Sequence, residues 1–105
     1  MPSPAPAPPA LRLHDALDGS LPLARLLERV QASRTRFARV AALMPPALLA
    51  DVRPGPLDDT SWVLLVARPA AAAKLRQMVP TLEAELAAAG FAPVPLKIRI
   101  QPLGG

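Results

Sequence analysis

The chain has 105 residues, with 12 Lys plus Arg against 8 Asp plus Glu, a net charge of +4 and no cysteine. Hydrophobic residues make up 51% of it and aromatics only 3%, while its 15 prolines are roughly three times ordinary usage. This length suits one domain with a modest core, and the lack of cysteine excludes disulfide scaffolds, thiolate metal sites and cysteine nucleophiles.

Met1 to Ala10 reads MPSPAPAPPA. Proline fixes φ and supplies no N–H, so the tract favours solvated polyproline II and builds no core. Residues 1–19 are therefore expected to be a disordered leader, with docking to an aromatic groove as the alternative, and residues 20–105 to form the domain. No basic n-region precedes an apolar h-region, so a secretory signal is not expected. The longest uncharged stretch of the domain, Val40 to Ala50, holds Pro45-Pro46, whereas a spanning helix needs about 20 apolar residues. These features predict a cytoplasmic protein with no membrane partner.

Ser20 is a candidate N-cap, and Pro22 suits a first helical turn. Leu23, Leu26, Leu27 and Val30 then follow the i, i+3, i+4, i+7 pattern of a buried helical face, resumed by Phe37, Val40, Ala41 and Met44. One helix from about 22 to 44, or two broken near Ser33-Arg34, fits this pattern. Pro45-Pro46 ends it, because a residue before proline avoids the α region. A short turn at Ala47 to Ala50 comes next. Asp51 to Leu57 carries Pro54, Gly55 and Pro56, which suits an edge strand or a loop. Asp58-Asp59-Thr60 is a turn signal, and SWVLLVA (Ser61 to Ala67) is the clearest strand.

Pro69 opens the next helix, whose face runs through Ala71, Leu75, Met78, Leu82 and Leu86. Pro80 is expected to kink or divide it, and Gly90 to cap its end. Leu96, Ile98 and Ile100 alternate with Lys97, Arg99 and Gln101, as in a half-buried strand. The predicted fold class is α+β, with helices packed on one face of a small three-stranded sheet. Trp62 and Phe37 are expected in the core.

Catalysis finds little support. The single histidine, His14, sits in the leader beside Asp15, and a general base must be held within reach of its proton. Asp58-Asp59 reads better as a hydrogen-bonding turn than as a metal pair. Glu83 and Glu85, two apart on a helix, point in different directions. No phosphate loop, dinucleotide fingerprint or nucleophile elbow is present. Neither an enzyme, a metal nor a cofactor is expected.

Charge placement says more. Arg34, Arg36 and Arg39 cluster in RTRFAR, Lys74 and Arg76 lie on the next helix, and Lys97 and Arg99 on the last strand. The acids gather instead at Asp51 to Asp59 and Glu83 to Glu85. These seven cations are the candidate nucleic-acid-binding residues, each neutralised phosphate adding salt-dependent affinity. The competing reading is a set of charges that merely solvate their faces. With so few aromatics, binding is expected to be directed at the backbone and indifferent to sequence.

Several short motifs carry a resemblance: Ala73-Lys74-Leu75-Arg76-Gln77, Val79-Pro80-Thr81-Leu82, Leu86 and Ile98-Arg99-Ile100-Gln101-Pro102. Leu26-Leu27 and Pro45-Pro46-x-Leu48 extend it upstream. Together they resemble the DciA family of bacteria over about residues 21 to 103. The resemblance implies a KH-like domain of type II order, α-β-β-α-α-β, with the second helical region divided at Pro80. It implies a non-enzymatic, DNA-binding accessory that assists loading or operation of the replicative helicase DnaB. The Gly-x-x-Gly loop of nucleic-acid-clamping KH domains is absent from the sequence. The alternatives are a protein-interaction module whose basic surface meets an acidic partner, and a small KH-like RNA-binding protein.

Overall fold

The computed structural model describes residues 22–102. The expected leader over 1–19, His14 and the candidate cap Ser20 lie outside the described residues. Pro22 is itself the N-cap of helix α1 (Leu23–Ala41), its carbonyl accepting the Arg25 N–H at 3.0 Å. A single helix therefore spans the Ser33-Arg34 region. It stops at Ala41, three residues short of the expected end. Met44 precedes Pro45-Pro46, and the chain closes through Leu43 N–H to Val40 and Met44 N–H to Ala41 instead. Pro46 then opens one helical turn, α2 (Pro46–Leu49).

Strands β1 (Val52–Leu57) and β2 (Trp62–Val66), helix α3 (Pro69–Ala88) and strand β3 (Leu96–Ile100) follow. The sheet order is β1-β2-β3, with β1 and β2 antiparallel and β2 and β3 parallel. Asp51 to Leu57 thus contributes a strand, and its prolines place it at the edge, where a missing N–H breaks no ladder on both sides. Between Pro54 and Leu57 the chain advances one residue more than β2 does from Leu64 to Trp62. The surplus is a bulge between Pro54 and Leu57, where Gly55 lies. A Cβ there would sit 2.8 Å from the Val63 carbonyl and 3.0 Å from Leu65 Cγ, so only glycine fits without displacement.

The α+β class holds, and the helices cover one sheet face. Trp62, Leu64, Val66 and Leu96 point into a core shared with Val40, Met44 and Leu48 from α1–α2 and with Ala71, Ala72, Leu75, Leu82 and Leu86 from α3. Phe37 and Phe91 pack half-buried against it.

Two expectations need correction. The first concerns α3, which runs unbroken through Pro80, so the observed order is α-α-β-β-α-β rather than one with a divided second helix. Pro80 and Arg76 are both exposed. The Arg76 carbonyl that loses its helical donor can therefore be satisfied by water.

The second concerns α1. Its buried positions are Ser33, Arg36 and Val40, whereas Leu23, Leu27 and Val30 of the expected apolar stripe are 45%, 60% and 50% exposed. From Phe37 onward the expected face does meet the core, through Val40 and through Met44 just past the helix, but its first half turns to water, because the neighbouring Ser33 and Arg36 find buried partners. At its far end α3 closes with the Gly90 cap in the left-handed region (φ 89). Phe91 N–H bonds to Leu86 and Gly90 N–H to Ala87, the paired bonds of a Schellman motif.

Candidate nucleic-acid interface

Successive residues of a strand face opposite ways. On β3 this turns Leu96 and Ile98 toward the helices and Lys97 and Arg99 to the open face, where both are exposed. Register carries the pattern across the sheet. Val63 lies opposite Lys97, and Leu65 lies opposite both Arg99 on β3 and Arg53 on β1. Arg53, Leu65 and Arg99 thus form one transverse row, with Arg53 and Arg99 two strand spacings, about 10 Å, apart. Lys97 sits about 7 Å along the strand from Arg99. Three cations therefore surround an apolar strip of Val63 and Leu65.

Arg53 was not among the sequence candidates. Its alternation with Val52 and Pro54 was visible, but only the pairing register brings it level with Arg99. None of the strand residues on that face is an acid, and Asp51, two positions before Arg53, is paired with Arg68. Every described carboxylate is engaged elsewhere. Glu28 pairs with Arg25 at 3.6 Å, Asp59 with Arg29 at 3.7 Å, and Glu85 with Arg39 at 2.7 Å. Asp51 receives Arg68 Nε at 3.0 Å. Glu83 accepts the Leu96 N–H at 3.0 Å, tying the start of β3 to α3.

Asp58 caps the β1–β2 turn. Its Oδ1 accepts the Thr60 N–H and hydroxyl, each at 2.7 Å, and the Ser61 N–H at 3.0 Å. The Thr60 hydroxyl, then the two backbone N–H groups, hold its carboxyl below the usual range. Asp58 therefore serves the turn, as expected, and no group of three metal-ligating side chains occurs among the described residues.

The seven sequence candidates fall into three situations. Arg34, Lys74, Arg76, Lys97 and Arg99 are exposed and form no ion pair among the described residues. Arg39 is held by Glu85. Arg36 is buried, only 6% exposed. Its Nη2 donates to the Ala92 carbonyl at 2.9 Å and its guanidinium lies 5.3 Å from the centre of the Phe91 ring. Burial lowers its pKa from the ordinary value, yet an arginine keeps its charge. Arg36 pins the segment after α3 to α1, so its fork faces inward. Lys74 and Arg76 belong to the helical layer, whereas Lys97 and Arg99 occupy the opposite sheet face. Trp62 is fully buried, so it offers no base a stacking surface.

The arrangement defines a class: a small α+β module whose strands carry three cations and no acid on the face away from the helices. No family model, curated protein or solved structure matches the chain. Among the described residues no helix is long and apolar enough to cross a membrane.

Proposed function

We propose that the chain is a non-enzymatic, DNA-binding accessory of the replicative helicase DnaB, with a KH-like domain. One observation supports phosphate binding above all. Arg53, Lys97 and Arg99 share one face of strands that carry no acid, while each described carboxylate, Asp51 beside Arg53 included, already has a partner. Such a surface attracts a polyanion at long range and holds its backbone without reading bases. Arg34, Lys74 and Arg76 extend the positive field, whereas Arg36 belongs to the scaffold. The helicase assignment rests on the DciA-like motifs, and the helices stacked on one face of a three-stranded sheet are compatible with it.

Filter binding of single-stranded DNA over a range of salt concentrations tests the first part. Three phosphate contacts give a log–log slope of about −2, and Arg99→Gln or Arg53→Gln should each reduce its magnitude by about 0.7. A flat salt response, or no binding near 50 mM salt, would overturn it and leave the face to an acidic protein. Competition between DNA and RNA of one sequence separates the RNA-binding alternative. Pull-down of DnaB with the whole chain, and with residues 1–19 removed, tests the helicase role. Failure of both would end it.

A further inference from the structure

The two edges of the sheet differ. On β1, Pro54 and Pro56 have no N–H, the pairing shifts between Pro54 and Leu57, and the Gly55 carbonyl accepts the Ser33 hydroxyl at 2.7 Å. Such an edge offers a further strand little to join. β3 carries no proline and pairs with β2 in unbroken register from Leu96 to Ile100.

The ladder fixes which groups of β3 point outward. The Trp62 N–H donates to the Pro95 carbonyl and the Gln101 N–H to the Val66 carbonyl, each at 2.8 Å. In a parallel pair, alternate residues of a strand bond to the same neighbour. Residues 95, 97, 99 and 101 therefore bond to β2, and Leu96, Ile98 and Ile100 turn their backbone groups away from it. Glu83 of α3 accepts the Leu96 N–H at 3.0 Å. The N–H and C=O groups of Ile98 and Ile100 have no partner among the described residues. Ile100 is 41% exposed, so this end of the edge is open to water.

Charge then selects among strands. Lys97 and Arg99 flank Ile98, are exposed, and form no ion pair among the described residues. β3 holds no acid, and Glu83 is engaged at its start. An antiparallel partner bonded at Ile98 and Ile100 sets its other side chains opposite Lys97 and Arg99, with Cβ atoms about 4.5–5.5 Å apart. Acids there complement the two cations, while apolar residues opposite Ile98 and Ile100 cover side chains now partly in water. A second copy of β3 paired about Ile98 would oppose Lys97 to Arg99 twice, which like charge disfavours. We propose that the outer edge of β3 takes up, as a fourth strand, an extended segment of another protein in which acidic and apolar residues alternate. The inference stands on the backbone of this edge and not on the DNA-binding reading.

A fluorescein-labelled peptide of alternating Val and Glu, titrated with the whole chain by fluorescence anisotropy, tests it without DNA. Valines opposite Ile98 and Ile100 direct their N–H groups at β3, whereas the glutamates turn theirs away. N-methylation of the valines should weaken binding roughly tenfold or more, and N-methylation of the glutamates should leave Kd within about twofold. Hydrogen exchange followed by NMR should show new protection of the Ile98 and Ile100 amides in the complex. Lys97→Glu/Arg99→Glu, its fold verified by unchanged thermal unfolding, should lose the Val/Glu peptide and bind a Val/Lys counterpart. No binding of the Val/Glu peptide, equal binding of its valine-methylated form, or unprotected Ile98 and Ile100 amides would overturn the proposal. A dimer seen by light scattering that protects those amides without peptide would assign the edge to a second copy and overturn it as well.

Discussion

The Trp62 indole N–H donates to Ser33 Oγ at 2.9 Å in the buried interior, joining the central strand to α1. The Ser33 hydroxyl in turn donates a hydrogen bond to the Gly55 carbonyl at 2.7 Å, so one hydroxyl bridges the helix, β2 and the bulge of β1. The chain's single tryptophan is thereby paired at its polar tip as well as packed along its ring. This relay sets how α1 sits against the sheet.

Ser33→Ala should destabilise the fold by about 1–3 kcal/mol, because it leaves a buried indole donor without an acceptor. Urea unfolding followed by tryptophan fluorescence measures this. Adding Trp62→Phe to Ser33→Ala, monitored by circular dichroism, should give a non-additive cycle, since the donor that needed Ser33 is then gone.

Arg36→Ala should cost stability of the same order, about 1–3 kcal/mol, through the lost bond to the Ala92 carbonyl and the lost contact with Phe91. Arg36→Lys should recover only part, because a point charge does not reproduce the planar fork. At fixed salt, the folded Arg36→Lys protein should bind single-stranded DNA as the parent does. A weakened salt slope in that variant would show Arg36 reaching phosphate instead.

Asp58 makes the β1–β2 turn sensitive to acid. Its folded-state pKa is lowered, so its contribution is present above the ordinary carboxylate pKa of about 4 and disappears as pH falls through the lower folded value. Asp58→Ala should therefore reduce Tm at pH 7. The gap between parent and variant should shrink toward pH 2. A constant gap across that range would refute the ionised carboxylate as its source.

Pro80→Ala should stabilise the protein, because it restores the N–H that the Arg76 carbonyl lacks and removes a ring clash worth up to about 3 kcal/mol. The gain is offset by about 0.4–1 kcal/mol, since proline also restricts the unfolded chain. A rise in Tm of several degrees is expected for a domain of this size. An unchanged or lower Tm would mean that Pro80 is part of how α3 fits the sheet.

Much of this architecture was legible along the chain. The alternation of Leu96 to Gln101 marks β3 and its open face, SWVLLVA marks the buried central strand, and Gly90 marks the end of α3. These features follow from local dihedral preference and simple periodicity, which a linear sequence carries in full. Length, charge and the absence of cysteine had likewise narrowed the chemistry before any packing was known.

Tertiary structure decided what periodicity leaves degenerate. Helix α1 offers two adjacent stripes, and only partners distant in sequence choose between them: Gly55 and Trp62 for Ser33, Ala92 and Phe91 for Arg36. That choice buries one predicted phosphate ligand and leaves Leu23, Leu27 and Val30 in water. Strand register supplies Arg53, placing it in one row with Arg99 although 46 positions separate them in the sequence. Continuity through Pro80 depends on exposure, because a carbonyl can forgo its helical donor only where water reaches it. Sequence determined which segments are helix and strand; packing determined which of their charges remain available to another molecule.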